Sequence, residues 1–184
     1  MPSPPPVVSG ISDLVGDPDG FERLWTPHRL AYIEADRPDP EPGDGCPFCA
    51  APHRADEEGL IVHRGELCYV VLNLFPYNPG HLLICPYRHV PLYLDLTDEE
   101  TTEFTALTKD AMRALQGASA PMGFNLGMNQ GAVAGAGVAA HLHQHVVPRW
   151  GGDSNFLPIV ARTKALPQLL EDTRQRLVVA WPQD

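Results

Sequence analysis

The chain has 184 residues, a formal net charge of −10 and a hydrophobic content of 43%. This length fits one domain with a substantial core better than two, and the acidic balance excludes a basic surface for a nucleic acid backbone. No apolar run approaches the roughly 20 residues of a membrane helix, and residues 1–10 lack the basic start and apolar core of a secretion signal. We therefore expect a cytoplasmic protein without a nucleic acid or membrane partner.

Turn-forming residues dominate the N-terminal part of the sequence. Residues 1–20 are rich in Pro, Gly, Ser and Asp, so we expect a flexible tail there and a single domain over residues 21–184. Residues 36–45 (DRPDPEPGDG) predict a loop that leads to the pair Cys46 and Cys49. In a reducing compartment, a C-x-x-C pair indicates a metal site before a disulfide.

Four segments have the residue types of β-strands. The apolar runs 67–72 (LCYVVL) and 81–85 (HLLIC) are separated by a turn at Asn78-Pro79-Gly80, which predicts adjacent antiparallel strands. Cys68 and Cys85 lie inside these runs, so we expect them to pack in the core. Further strands are predicted over residues 124–128 and 142–148.

Two helices and a glycine-rich loop complete the predicted elements. The acidic segment after Thr97 is a helix start, and apolar residues at helical spacing continue to Gly117. Residues 166–179 predict a C-terminal helix, with Pro167 near its start. Residues 129–140 (NQGAVAGAGVAA) form a small-residue loop whose backbone N–H groups suit an anion.

Three histidines alternate along the last predicted strand. His141, His143 and His145 should therefore share one face, because side chains alternate across a strand. A surface strand with solvated histidines, or an accidental metal-binding tract, is the alternative. A glycine loop directly before an array of imidazoles favours a phosphate site, and a neutral histidine is a competent nucleophile.

The segment His141-Leu142-His143-Gln144-His145-Val146-Val147 resembles the signature His-φ-His-φ-His-φ-φ of the histidine triad family, in which φ is apolar and Gln144 departs from the pattern. The similarity continues in residues 25–29, 46–49, 73–89, 123–130 and 148–153, and within the family it is nearest to the bacterial diadenosine tetraphosphate phosphorylases. The resemblance implies an α+β fold. It implies an antiparallel sheet of about five strands, helices packed on one side and a homodimer.

The resemblance also assigns roles to the three histidines. His143 would attack the α-phosphate of a nucleotide and form a nucleotidyl-histidine. His145 would bind the phosphate and the departing group, and His141 would support the site from behind.

Substrate-binding positions follow from the same resemblance. Asn73 matches the residue that hydrogen-bonds the ribose, Leu74 and Phe75 would flank the base, and Trp150 would close over the substrate. Asn129 and Gly131 match an Asn-x-Gly segment near the scissile bond. Gly137 lies where several relatives carry a Ser, Thr or Gln that donates to a phosphate, so a backbone N–H would replace that side chain here.

A structural zinc site is the remaining expectation for the cysteine pair. In some bacterial relatives two histidines complete such a site, and the matching positions here are His89 and His141. Four protein ligands make a zinc site structural, and two reduced thiols without a metal are the alternative. No organic cofactor is expected. The other histidines are expected to be structural or solvated: His28, His53, His63 and His81.

The predicted function is cleavage of dinucleoside polyphosphates through the His143 intermediate, with a nucleotide substrate and inorganic phosphate as partners. Three alternatives stay open at this point. Water could replace phosphate as acceptor, which would make the protein a hydrolase of dinucleotides or of nucleoside phosphoramidates. The other two are a nucleotide-binding sensor with little turnover and a zinc-binding interaction module.

Overall fold

The computed structural model describes residues 41–43, 45–153 and 168–183. The predicted tail, most of the 36–45 loop, His28 and the start of the predicted C-terminal helix lie outside these residues. The described residues form a five-stranded antiparallel sheet in the order β1-β2-β3-β5-β4. The strands are β1 Ile61–Arg64, β2 Cys68–Leu72, β3 Leu82–Pro86, β4 Gly123–Met128 and β5 Gln144–Arg149.

Helices flank this sheet. They are α1 Pro47–Ala50, α2 Asp56–Gly59, α3 Asp98–Ser119 and α4 Leu170–Val179, with 3-10 turns at Ala51–His53, Tyr93–Asp95 and Ala132–Ala134. The start of α3 is fixed by a capping box. The Thr97 hydroxyl accepts from the Glu100 N–H at 3.2 Å, and the Glu100 carboxylate accepts from the Thr97 N–H at 2.8 Å. The predicted helix is confirmed and runs two residues past Gly117.

The predicted strand pair β2 and β3 is confirmed, and both strands are buried along their whole length. Their register pairs Val70 with Ile84. Alternate residues enter two cores, as the pleat requires. The main core lies between one face of the sheet and helices α3 and α4, and it contains Val70, Leu82, Phe104, Leu115 and Leu177. Cys68 belongs to this core. Cys85 lies in a smaller cluster on the other face, so both cysteines are core residues as predicted.

The expected packing of helices on one side holds for the two long helices. The opposite face is also covered over β1 to β3, because Phe48 of α1 and the adjacent Ala51 pack on Tyr69, Val71 and Leu83. Over β4 that face is exposed at Asn125 and Gly127. No helix among the described residues combines the length and apolar character that crossing a membrane requires.

The last strand begins later than the sequence predicts. It starts at Gln144 rather than residue 142, so His145 is the one triad histidine within a strand. The reason is that the preceding residues bond to the end of β3 and to the loop after it. Leu142 N–H donates to Val90 O at 2.7 Å, and the His141 ring bonds Pro86 O at 2.9 Å. The predictions also missed β1, α1 and α2.

Candidate active site

His143 is held by a backbone carbonyl. Its Nδ1 lies 2.9 Å from His141 O, and a carbonyl only accepts hydrogen bonds, so Nδ1 carries the proton and Nε2 keeps its lone pair. The Phe48 ring packs against the imidazole with centroids 4.8 Å apart. The side chain is buried, and burial lowers the pKa of His143, which is partly opposed by the bond to His141 O. The result is a neutral imidazole with Nε2 available as a nucleophile.

His81 orients His145. Tyr77 N–H donates to His81 Nδ1 at 3.0 Å, so His81 carries its proton on Nε2. That Nε2 lies 2.9 Å from His145 Nδ1, which must therefore accept. His145 consequently presents Nε2–H as a donor, and its ring centroid lies 5.1 Å from that of His143.

Burial keeps this histidine pair uncharged. It lowers the pKa of His81 to about 3, with the charges of His145 and His143 adding to the effect. Burial likewise lowers the pKa of His145 to about 4. Because charging either ring inside the protein is costly, both act as fixed hydrogen-bonding groups at neutral pH.

Sequence reasoning placed His81 among the structural or solvated histidines and missed its bond to His145. Its one signal was its position as the only polar side chain opening the otherwise apolar run 81–85. Phe48 and Tyr77 were also missed as neighbours of the triad. The Tyr77 ring stacks near His145, with centroids 5.8 Å apart.

The four predicted metal ligands come together. The candidate ligand atoms of Cys46, Cys49, His89 and His141 all lie within 4.8 Å of one another. His141 Nδ1 is 3.5 Å from Cys46 Sγ and 3.4 Å from Cys49 Sγ, and His89 Nδ1 is 3.2 Å from Cys49 Sγ. Ligand atoms on a tetrahedral zinc lie about 3.3–3.8 Å apart, given its usual bond lengths. These three distances are close to those of a tetrahedral metal site with two sulfur and two nitrogen ligands.

A second contact fixes the tautomer of His141. Its Nε2 lies 2.9 Å from Pro86 O, so the proton is on Nε2 and the Nδ1 lone pair faces the two thiols. The same residue supplies the carbonyl that holds His143, and Phe48 lies between the two cysteines. The Cys/His cluster is thus joined to the proposed nucleophile through backbone and packing contacts.

The residues expected around a nucleoside lie in the loop after β2. Leu74 is 58% exposed and Phe75 79% exposed. Asn73 Oδ1 accepts from Phe75 N–H at 3.0 Å, and its Nδ2 is 3.3 Å from His81 Nδ1. Asn73 therefore links this loop to the histidine pair.

The glycine loop follows β4. Gly131 has φ +81°, a conformation that side chains disfavour, and a Cβ placed there would meet no atom within 4 Å. Asn129 lines the same cavity as His145. Gly137 is exposed, in a stretch without strand or helix.

Trp150 lies on the other side of the sheet. Its Nε1–H donates to Ser119 O at 3.2 Å, and its ring lines a cavity with residues of α3 and α4. It also follows His145 by five residues, roughly 17 Å along an extended chain. Within this chain Trp150 is therefore placed away from the histidines.

The remaining histidines differ in their environments. His53 is exposed at the end of the 3-10 turn Ala51–His53. His63 stacks on Trp181 with ring centroids 4.6 Å apart. Neither lies in the triad, in agreement with their predicted structural or solvated roles.

The fold and the histidine constellation define a histidine triad protein, and the comparisons agree. The HIT domain family model matches residues 54–152. The chain belongs to this family.

The chain is 50% identical over 171 residues to the AP-4-A phosphorylase of Mycobacterium tuberculosis, an alignment that covers 91% of this chain and 88% of the relative. It is 32% identical over 106 residues to the bifunctional bis(5'-adenosyl)-triphosphatase/adenylylsulfatase of Arabidopsis thaliana, with 58% of each chain covered. A crystal structure of a Zn-bound histidine triad family protein from Mycobacterium smegmatis superposes with a TM-score of 0.59 at 28% identity. The superposition covers 73% of this chain and 91% of that protein.

Proposed function

We propose that this protein is a nucleotidyltransferase that cleaves dinucleoside polyphosphates such as diadenosine tetraphosphate, with inorganic phosphate as acceptor. The observation that carries the proposal is the bond from His143 Nδ1–H to His141 O, which leaves the lone pair of Nε2 for nucleophilic attack. The choice of substrate and acceptor rests on the 50% identity to a mycobacterial AP-4-A phosphorylase.

In the first step His143 Nε2 attacks the α-phosphorus, and the bond from phosphorus to the bridging oxygen breaks. The leaving nucleoside triphosphate departs as an anion and needs no proton, while His145 Nε2–H donates a hydrogen bond to the oxygen that gains charge. The imidazole becomes cationic when the N–P bond forms, and the bond to His141 O stabilises that charge.

In the second step an oxygen of inorganic phosphate attacks the same phosphorus. The N–P bond breaks, ADP leaves, and His143 returns to its neutral form. Water as acceptor would give AMP instead, which is the alternative of a hydrolase.

The substrate contacts are proposed from the positions of the loop residues. Asn73 would bond the ribose, and Leu74 and Phe75 would cover the base. Asn129 and the backbone of Gly131 and Gly137 would contact the phosphates, since N–H groups free of side chains suit anions. The protein would act in the cytoplasm, where cysteines stay reduced, in keeping with the four free thiols.

A structural zinc ion on Cys46, Cys49, His89 and His141 is proposed from the geometry of the cluster. When bound, the metal would supply a fixed anchor behind the nucleophile. His141 would then hold its carbonyl towards His143, and the C-x-x-C turn would hold the Phe48 ring against the imidazole.

A homodimer is proposed from the edge of the sheet. β4 is an edge strand, and Leu126 on it is 50% exposed. Unpaired strand edges are ready to pair with another chain. Size-exclusion chromatography with light scattering would measure the assembly.

The function is tested by incubating the protein with diadenosine tetraphosphate, with and without inorganic phosphate. We expect ADP and ATP only when phosphate is present. AMP and ATP regardless of phosphate would instead identify a hydrolase, and no turnover would overturn both activities.

The covalent intermediate is tested in a separate experiment. The protein is incubated with labelled substrate, the reaction is quenched without acid, and label on the protein is measured. His143→Ala should yield neither a labelled protein nor product, whereas His53→Ala, which changes an exposed histidine, should yield both. Label on the His143→Ala protein would show that another residue is the nucleophile.

A further inference from the structure

A groove of about 400 Å³ lies beside His145, a size within the usual range of ligand sites. Its floor is the face of β4 and β5 that points away from α3. Along β5 this face carries His145, Val147 and Arg149, and the paired positions on β4 are Gly127, Asn125 and Gly123. Tyr77 and Asn129 add to the lining at the His145 end.

The groove meets the proposed reaction centre at one end only. His145 lines it, and the ring of His145 is 5.1 Å from that of His143. Phe48 instead packs on the His143 ring and contributes to the cluster over β1 to β3. A substrate held at His143 can therefore extend past His145 into the groove, on the side of the departing group.

The floor is open because glycine lies opposite His145. A Cβ built at Gly127 or at Gly123 meets no atom within 4 Å. His145 and Arg149 mark the two ends, four residues apart along β5, or roughly 13 Å. This length accommodates a chain of several phosphates in an extended form.

The described residues that line the groove include one guanidinium and no carboxylate, and that guanidinium is paired with a carboxylate that is not in the lining. In a protein of net charge −10, none of the described residues that line it is acidic, and Arg149 is among them. Asp153, which is not in the lining, accepts from Arg149 Nε at 2.6 Å and Nη2 at 3.0 Å and so fixes the guanidinium.

Asn125 is oriented by the same arginine. Arg149 Nη1 donates to Asn125 Oδ1 at 2.7 Å, and a guanidinium only donates, so the other end of the amide is the NH₂ group. The groove thus offers a rigid arginine, amide donors and His145 Nε2–H.

We propose that this groove binds the polyphosphate of the leaving nucleotide, beyond the scissile bond. The inference rests on the proposed function and adds a second subsite, in which Arg149 and Asn125 contact phosphates that are not transferred. This subsite gives preference for substrates with a long polyphosphate leaving group over substrates with a small one.

The experiment compares two substrates of the same nucleotidyl group, diadenosine tetraphosphate and adenosine 5′-phosphoramidate, whose leaving group is only an amine. Arg149→Gln should lower kcat/KM for the tetraphosphate by about 10-fold or more, the value of a charge-assisted hydrogen bond. It should leave kcat/KM for the phosphoramidate within about twofold, because that substrate does not reach the groove. Asn125→Leu, which retains the Arg149–Asp153 ion pair, should also lower kcat/KM for the tetraphosphate more than kcat/KM for the phosphoramidate.

Arg113→Gln is the matched control, since Arg113 is also exposed and paired to a nearby carboxylate, Asp110, but lies on α3. Arg113→Gln should leave kcat/KM unchanged for both substrates. Equal losses for both substrates in Arg149→Gln and Asn125→Leu, or no loss for either, would overturn the groove as a leaving-group site.

Calorimetric titration with inorganic tripolyphosphate separates this inference from the proposed function. Wild-type protein should bind tripolyphosphate, and Arg149→Gln should bind it at least about 10-fold more weakly. If the wild type turned over neither substrate but showed this binding difference, the proposed function would fail and the groove would stand. Equal binding by both proteins, or none by the wild type, would overturn the groove.

Discussion

Lowering the pH from 7 to 5 should destabilise the protein through His81. Its pKa is about 3 in the folded chain and about 6.5 in an unfolded one. Between these values the unfolded chain binds a proton that the folded chain does not, so the free energy of unfolding falls as the pH drops below about 6.5. From pH 7 to pH 5 the loss from His81 alone comes to about 2 kcal/mol, at 1.36 kcal/mol per pKa unit.

Urea unfolding at both pH values measures this contribution. His81→Gln retains a donor and an acceptor but cannot be charged. Its free energy of unfolding should therefore fall by about 2 kcal/mol less than that of the wild type between pH 7 and pH 5. His53→Gln removes an exposed histidine and should behave as the wild type does. If His81→Gln lost as much stability as the wild type, burial of a neutral His81 would not be the cause.

Three further predictions concern the capping box, the core and the metal. Thr97→Ala should lower the free energy of unfolding, measured with urea, by about 1 kcal/mol, because the first turn of α3 loses its capping oxygen. No change would mean that the cap is dispensable. Phe104→Ala should cost about 3–5 kcal/mol in the same assay, since Phe104 is 1% exposed in the main core, and a cost below 1 kcal/mol would contradict this packing. Elemental analysis should find less than about a tenth of an equivalent of zinc in Cys49→Ser. The control Cys68→Ala should contain as much zinc as the wild type. Equal zinc in Cys49→Ser and wild type would exclude the cluster as the site.

Local sequence signals were sufficient where neighbouring residues determine the structure. The start of α3 depends on Thr97 and Glu100, three residues apart, and the hairpin of β2 and β3 depends on two apolar runs around a tight turn. The family signature likewise selected the four residues of the Cys/His cluster. The helix start and the hairpin could be read from the sequence because each depends on spacing along the chain, whereas His89 and His141 lie 40 and 92 residues from Cys49 and were found only through the family resemblance.

Features that depend on distant contacts were not accessible in this way. The bond from His81 to His145 joins residues 64 positions apart, and no local pattern distinguishes a histidine with such a partner from a solvated one. The late start of β5 has the same origin, since Leu142 bonds to the loop after β3 and His141 to the end of β3 instead of continuing the ladder. Strand β1 was missed because its four residues, IVHR, include two polar side chains.

The acceptor that orients His143 is a main-chain oxygen, and this has a consequence for engineering the protein. Every substitution at position 141 retains a carbonyl there, so no change of that side chain removes the proton acceptor itself. The His141 side chain contributes position, because its ring bonds Pro86 O and lies in the Cys/His cluster, and both contacts fix the backbone that carries the carbonyl. A substitution at residue 141 would therefore act on His143 by displacing the acceptor, not by deleting it.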